Sequence, residues 1–292
     1  MAYFAELSAS GLEPVRFEGS GDLDCLCIAK GGIEGWWSTP TAKVNVIARG
    51  QGDGGHDVSE DDISYASRIV TLHWNANASS RDMLTDLTNS VRRLVHRQVR
   101  MRVVDEDSDT YCSGGYLTLT QQPDYRRGSV ADSTLTIVFE RPERLSTAAQ
   151  RCQLLPSIES DRVGLSYGPA ARGLAYPLSY GTAAVDARNV CTLVNNGSSR
   201  AYPVFTVQGP WPDGVQLTFP GLDMSLDYSQ AVGSVPLVLD SRSRTASIGG
   251  LDVSRNLRQR GFPTVPPGGS LAVNLQSVGD GYVTVECRDT YM

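Results

Sequence analysis

The stretch RIVTLHWNANASSRDMLTDLTNSVRRLVHRQVRMRVV, residues 68–104, carries the clearest structural signal in the chain. Its two ends, RIVTLHW and QVRMRVV, are rich in β-branched residues and predict strands. The middle predicts a helix over residues 80–96, because Ser79 or Ser80 can cap it and Asp82 favours its first turn. The apolar face of this helix consists of Met83, Leu84, Leu87, Val91, Leu94 and Val95. We expect this face either to pack on a sheet or to form a groove that binds a partner.

The rest of the chain consists mainly of short β segments separated by Gly, Pro, Asn and Asp. We therefore predict a mainly β protein with two β-sandwich-like domains, the first of which contains the single α-helix. Between the two halves lies an irregular sequence with several prolines and glycines. We predict that it connects the two domains and can contain a short helix near residues 146–152. The predicted domains are residues 1–150 and 189–292, joined by a connector at 151–188.

Two glycine-rich motifs look like ligand sites, but their surroundings argue against that interpretation. Residues 49–62, RGQGDGGHDVSEDD, contain G-x-G-x-x-G, yet no helix begins there, and His56 and Asp57 stand where a phosphate loop needs Lys and Ser or Thr. Residues 164–168, GLSYG, match a nucleophile elbow, but all three histidines precede Ser166. Catalysis by two neighbouring carboxylates is the one alternative left open, because the chain has 32 acidic residues and any two of them can meet in the fold. We predict no enzyme, no cofactor and no metal, and interpret residues 49–62 as a mobile loop or a subunit contact.

Charge and cysteine content narrow the function further. The net charge of −6 and the pI of about 5.1 do not suit binding to free nucleic acid. The sequence shows no signal peptide and no run of apolar residues long enough to span a membrane, so we expect synthesis in a cytoplasm. The six cysteines are scattered, and the Cys25-x-Cys27 pair alone is weak evidence for zinc, so buried free thiols are expected.

Several motifs, in order along the chain, resemble phage tail proteins. The first half resembles the N-terminal part of siphophage distal tail proteins in GGIEGWW, RGQGDGGHD, the stretch from residue 68 through the helix, and LTIVFERPERL. The second half is similar to the C-terminal domain of minor tail proteins from phages of actinobacteria. It shares NNGSSRAYPVFTVQGP, LDSRSRTAS, GFPTVPPGGSLAVNLQ and the closing DTYM.

This resemblance implies a structural virion protein of the tail tip, assembled in the host cytoplasm. Such proteins form a homo-hexameric ring through their N-terminal domains, between the tail tube protein and the tail-tip or baseplate hub protein. The second domain is then a galectin-like or carbohydrate-binding-module-like sandwich that contacts fibres or receptor-binding proteins, and the tape measure protein is a further expected partner. No specific nucleic-acid binding is expected.

Two other functions stay open at this point. A carbohydrate-binding adhesin or receptor-binding component would stack sugar rings on exposed aromatic side chains, for which Trp211 and the tyrosines of LAYPLSY, residues 174–180, are the candidates. Structural packing explains these aromatics equally well. A cell-wall hydrolase at the tail tip has no motif to support it.

The charge pattern suggests how subunits of such a ring meet. The acidic candidates lie in the loop at residues 49–62, and the basic candidates lie at the end of the predicted helix and just after it. Cations at this position have three possible roles. They can interact favourably with the negative end of the helix dipole, contact an acidic surface of another subunit, or contact nucleic acid. In a cyclic ring each interface joins two different surfaces, so an acidic loop can reach a neighbour's basic segment. The predicted interface residues are Asp57, Glu60, Asp61, Asp62, Arg92, Arg93, Arg97 and Arg100.

Overall fold

The computed structural model describes residues 3–45, 47–59, 62–121, 128–156 and 188–292. Strands dominate this part of the chain, and α1, Arg81–Arg92, is its one α-helix, which confirms the mainly β prediction. The chain divides into two units, Met1–Ala148 with Thr290–Met292, and Ala149–Asp289. The first unit therefore includes the last residues of the chain, which the sequence-based division assigned to the second domain.

The first unit is a closed barrel and not the predicted β-sandwich. Its strands are β1 (Tyr3–Ala9), β2 (Val15–Glu18), β3 (Cys25–Glu34), β4 (Arg68–Asn77), β5 (Val99–Asp105), β6 (Ser108–Thr120), β7 (Ser129–Phe139), β8 (Arg144–Ser146) and β20 (Thr290–Tyr291). Seven of them form the ring in the order β1-β2-β3-β4-β7-β6-β5, which closes because β5 pairs with β1 and β6 pairs with β7. The two short strands β8 and β20 extend the sheet from β6 in that order.

The barrel closes where the long strand β6 leaves β5 and joins β7. Gly115 lies at this point, opposite both Val99 of β5 and Phe139 of β7. A Cβ atom on Gly115 would lie 2.6 Å from the Phe139 ring, so only glycine lets the two strands approach here. A register shift between Val99 and Met101 bends β5 beside it. Neither feature shows in the alternation of apolar residues, which is why the sequence suggested a sandwich.

Helix α1 begins where the sequence predicts and ends earlier. Ser80 is its N-cap, and the hydroxyl of Ser80 accepts a hydrogen bond of 3.2 Å from the backbone N–H of Met83. The helix stops at Arg92 and not at residue 96, because turns follow and His96 adopts a left-handed backbone with φ of 63°. Its buried side contributes to the barrel core, whereas Met83 and Val95 of the predicted stripe are exposed; the buried apolar residues are Leu84, Val91 and Leu94.

The second unit has two sheets around one hydrophobic core. Its strands are β9 (Gln150–Leu154), β10 (Val190–Val194), β11 (Val204–Gln208), β12 (Val215–Phe219), β13 (Met224–Tyr228), β14 (Leu237–Asp240), β15 (Thr245–Ile248), β16 (Leu251–Asp252), β17 (Leu257–Arg260), β18 (Ser270–Leu275) and β19 (Tyr282–Cys287). One sheet has the order β10-β18-β12-β13-β17 and the other has β16-β15-β14-β11-β19-β9. Phe205 of β11 and Phe219 of β12 meet in this core with ring centroids 5.7 Å apart.

The region predicted as a connector begins with a strand of the second unit. Strand β9 pairs with β19, with Cys152 opposite Val285. The prediction of a short helix near residues 146–152 is therefore wrong, since β8 ends and β9 begins in that stretch. Both strands pair with residues far away in the sequence, which local sequence patterns do not reveal. Residues 157–187 lie outside the described residues, and with them the GLSYG motif at 164–168.

The expectation of six free thiols is wrong for one pair. Cys152 and Cys191 form a disulfide, with their Cα atoms 6.6 Å apart. They belong to β9 and β10, which are edge strands of different sheets, so only the packing of the two sheets brings them together. Cys25, Cys27, Cys112 and Cys287 are free, and the last three are buried. Within the described residues no group of His, Cys, Asp and Glu could hold a metal ion.

Candidate assembly surface

The connection between β3 and β4 forms an exposed arm, which we define as residues 39–67. Its two halves run back along each other through backbone hydrogen bonds, including Lys43 N–H to Ser64 O at 2.7 Å and His56 N–H to Ile47 O at 3.0 Å. None of the described residues of the arm is buried. Three of its large apolar side chains are exposed to solvent, namely Ile47, Val58 and Ile63. Such a projecting segment is suited to contact another surface.

The acidic candidates of the arm have few partners within the chain. Asp57 is almost fully exposed, and its one ion pair among the described residues is with Arg49 of the same arm, at 3.0 Å. Asp62 is exposed, and its backbone N–H donates to Ser59 O at 3.0 Å. Glu60 and Asp61 lie outside the described residues. The carboxylate of Asp62 is thus available to a partner, which leaves the predicted contact open as a proposal.

The basic candidates follow the end of α1. Arg92 donates hydrogen bonds to the side chains of Gln121, at 2.7 Å, and Asn89, at 3.1 Å. Arg93 is the C-cap of the helix and is exposed, as is Arg97. The guanidinium of Arg100, on β5, lies 3.8 Å from the ring centroid of Tyr111. The helix dipole therefore explains the position of Arg92 and Arg93 but not that of Arg97 or Arg100.

The arm and the basic segment lie at opposite ends of the barrel. The arm enters β4 at Arg68, and β4 then runs for ten residues, or about 33 Å, to Asn77, where the chain turns into α1. The end of α1 stays at that second end of the barrel, because Arg92 bonds Gln121, which follows β6, and Val99 pairs with the end of β1. Contact between the two candidate surfaces therefore requires a second subunit.

A buried arginine holds the base of the arm in place. The side chain of Arg68 is fully buried, and its Nε donates to Pro142 O at 2.7 Å. Its Nη1 donates to the backbone oxygens of Gly35, Trp36 and Ser38 at 2.7, 2.9 and 2.7 Å. Burial lowers the pKa of Arg68 below its ordinary value. The arginine thus ties the chain entering the arm to the turn between β7 and β8.

Sequence reasoning missed Arg68, although a signal was present. In the strand RIVTLHW the alternate positions Arg68, Val70, Leu72 and Trp74 share one face, and all four are buried. A charged residue in phase with a row of core residues is buried only when it is well hydrogen-bonded. Such a residue therefore marks a place where backbone oxygens converge.

The second unit contributes an open polar groove of about 670 Å³ on the five-stranded sheet. Trp211, the aromatic candidate for sugar binding, is not part of it. Trp211 is fully buried, and its Nε1 donates to Gln208 O at 2.9 Å, so it acts as a core residue. The tyrosines of residues 174–180 lie outside the described residues. The groove is lined by Thr218, Phe219, Pro220, Gly221, Asp223, Met224, Ser225, Gln259, Asn274 and Gln276.

The chain was compared with protein-family models, with curated protein sequences and with solved structures. No family model and no curated protein sequence matches the chain. Among solved structures, the whole chain has the fold of phage distal tail and baseplate proteins, which confirms the resemblance that the sequence motifs indicated. The Dit protein of phage SPP1, described as a paradigm of the hub adsorption apparatus in phages that infect Gram-positive bacteria, matches with a TM-score of 0.61. The match covers 99% of both chains at 11% identity.

A second similar structure comes from the baseplate of phage p2 in its activated conformation with strontium. It matches with a TM-score of 0.50 over 98% of each chain, again at 11% identity. Since identity is this low, the likeness concerns the fold, and no residue of either relative can be transferred to this chain.

Proposed function

We propose that this chain is a structural virion protein that forms the distal tail ring and joins the tail tube to the tail-tip or baseplate hub. The observation that carries the proposal is the end-to-end structural match to the SPP1 Dit protein, which extends over both units and 99% of each chain. A shared single domain would be compatible with many functions, but a shared order of two unlike domains is more restrictive.

The proposed partners follow from this position. The chain assembles with itself into a hexamer, and the ring contacts the tail tube protein on one side and the hub protein on the other. The first unit carries the ring contacts, since it presents the exposed arm and the basic segment at opposite ends of one barrel. The second unit is free to contact fibres or receptor-binding proteins, and the tape measure protein is a further neighbour. The ring is assembled in the host cytoplasm and stays at the tail tip of the virion.

Electron microscopy of the purified full chain tests the ring directly. We expect particles with sixfold symmetry, and a mass six times that of the 31.5 kDa chain by light scattering. Because other tail proteins can nucleate such a ring, the sample is also mixed with the tail tube protein. A chain that stays monomeric both alone and with the tube protein would contradict the proposal.

The arm contact is tested by charge reversal. Changing Glu60, Asp61 and Asp62 together to lysine is expected to weaken ring or tube assembly while the monomer stays folded. Each exposed ion pair contributes only about 0–1 kcal/mol and is screened by salt, so the assembly defect should be largest at low ionic strength and should shrink as salt is added. Changing Arg97 and Arg100 to glutamate in the same chain is expected to restore assembly in part.

A matched control separates the arm from a general effect of charge. Glu13, Asp213 and Asp280 are exposed acids outside the arm, and their reversal to lysine changes the net charge by the same amount. We expect this control to assemble like the unmodified chain. Normal assembly of the arm variant at low salt would show that the arm is a solvated turn and not an interface.

A further inference from the structure

A small pocket of about 340 Å³ opens on the first unit, at the end of the barrel from which the arm projects. Strand β6 supplies Ser108 and Thr110, and the neighbouring strands β8 and β20 supply Arg144 and Tyr291. Trp37, which precedes the arm, and Asp107 complete the lining. A pocket of this size admits one side chain or a small ion.

The floor of the pocket is a buried cation without a hydrogen-bond acceptor. The side chain of Arg144 is 6% exposed, and its Nε has no hydrogen-bond partner among the described residues. The ring centroids of Trp37, Trp36 and Tyr291 lie 4.9, 5.9 and 5.9 Å from its guanidinium carbon. Aromatic faces stabilise a cation but do not replace a good acceptor for its N–H groups.

The surroundings of Arg144 add positive charge and little negative charge. Burial, and then the neighbouring Arg68, lower the pKa of Arg144 below its ordinary value. The nearby thiol of Cys112 stays neutral, since burial raises its pKa to about 12. Glu143 is the smallest of the influences on Arg68, and no carboxylate within the described part of the chain forms an ion pair with either guanidinium. Neither of these two buried cations therefore has an ion-pair partner among the described residues, and the carboxylate of Asp107 in the pocket lining is exposed.

Other donors close to Arg144 are unsatisfied as well. Within the described residues, the hydroxyl of Thr110 and the indole nitrogen of Trp36 are buried without a hydrogen-bond partner, and so is Nη2 of Arg68. Buried polar groups are nearly always paired, so several unpaired groups around one pocket indicate a missing acceptor. Thr110 lines the pocket itself.

We propose that this pocket binds the carboxylate of an aspartate or glutamate side chain presented by a partner protein chain. A guanidinium offers a carboxylate two parallel hydrogen bonds, which is the geometry that arginine recognises best. The rings of Trp37 and Tyr291 would pack against the aliphatic part of the entering side chain. The 47% exposure of Trp37 leaves an apolar rim for the backbone that carries the acid.

The composition of the pocket favours a protein carboxylate over free phosphate. Asp107 lies in the lining, and its negative charge repels a doubly charged anion more than a singly charged one. The walls are largely aromatic, whereas phosphate sites are usually built from several backbone N–H groups. The proposal is independent of the number of subunits in the ring, and the partner can be a second copy of this acidic chain or another virion protein.

Capped amino acids test the pocket in the purified full chain. The probes are N-acetyl-glutamate amide, the neutral N-acetyl-glutamine amide, and inorganic phosphate. Trp37 lines the pocket and is half-exposed, whereas Trp36, Trp74 and Trp211 are fully buried, so a change of the tryptophan emission on binding is expected to arise from Trp37. We expect the capped glutamate to change the emission saturably at millimolar concentration and to raise Tm, and the capped glutamine to do neither.

Two arginine variants complete the test. Arg144→Met is expected to bind the capped glutamate at least about tenfold more weakly. Its Tm without probe should not fall, because an unpaired buried cation is replaced by an apolar side chain of similar length. Arg141→Met removes the same charge from an exposed position nearby and should bind like the unmodified chain. Unchanged binding in Arg144→Met, an equal response to the capped glutamine, or a response to phosphate alone would overturn the proposal.

Discussion

Replacing Arg68 with methionine is the most direct test of how the arm is held. Methionine keeps the length of the side chain and its apolar stem but removes all four hydrogen bonds to backbone oxygens. Two of the four bonds, those to Pro142 O and Trp36 O, are fully buried, and the other two are partly buried. The oxygens of Pro142 and Trp36 would then lose their donor in a buried place, whereas those of Gly35 and Ser38 are partly open to water.

The expected cost follows from those buried bonds. A hydrogen bond to a charged group contributes about 1.5–3 kcal/mol, so the two buried bonds together contribute about 3–6 kcal/mol. Part of this loss in the free energy of unfolding is offset, because the variant no longer buries a charge and the methionine side chain fills most of the volume. We expect the free energy of unfolding of the first unit to fall by about 3 kcal/mol. Arg68→Lys should lose an intermediate amount, since one ammonium group cannot reach four oxygens.

Urea unfolding measures the loss, with the emission of Trp36 and Trp74 reporting on the first unit. Amide hydrogen exchange should rise first at the base of the arm, where the bonds to Gly35, Trp36 and Ser38 are lost. Arg141→Met, at an exposed position, is the matched control and should change stability by less than about 0.5 kcal/mol. A loss below about 1 kcal/mol in Arg68→Met, or unchanged exchange at the arm, would refute this account.

Three further predictions concern other parts of the chain. Asp109→Asn should cost about 1 kcal/mol at pH 7, since it breaks the partly exposed pair with Arg102 at 2.7 Å. Because that pair holds the pKa of Asp109 below its ordinary 3.8, the difference between the two chains should shrink in urea titrations as pH falls below 3.8 and vanish once pH is below the lowered pKa. Reducing the Cys152–Cys191 disulfide, which spans 39 residues, should lower the stability of the second unit by up to about 4 kcal/mol in calorimetry. Six copies at −6 each give −36, so in a ring reconstruction most arginines of residues 92–102 should not line the pore.

Local patterns predicted the elements of this fold better than their arrangement. The strand that begins at Arg68 and the N-cap of α1 at Ser80 follow from β-branched residues and capping, which depend on neighbouring residues. The closure of the barrel at Gly115 and the pairing of β9 with β19 depend on residues far apart in sequence, and no local pattern encodes them. The disulfide was missed for the same reason, because its cysteines lie in two different sheets.

The candidate site shows the same division between local and long-range information. The exposed acids and arginines were found because charge in a glycine-rich loop or at a helix end is visible in the sequence. Arg68 and Arg144 were not found, although both are more buried than any of the predicted residues that the structure describes. Their surroundings are made by backbone oxygens and aromatic rings that only the folded barrel brings together.

The two ends of the barrel differ in a way that bears on assembly. Helix α1 covers one end, where Leu84, Val91 and Leu94 pack into the barrel core. At the other end the chain buries two arginines, leaves several donors without acceptors, and projects an arm with exposed apolar side chains. Unpaired buried donors lower the stability of an isolated chain, and this loss is recovered when a partner supplies the missing acceptors. In the proposed ring, a barrel built in this way would gain stability where it meets its neighbour.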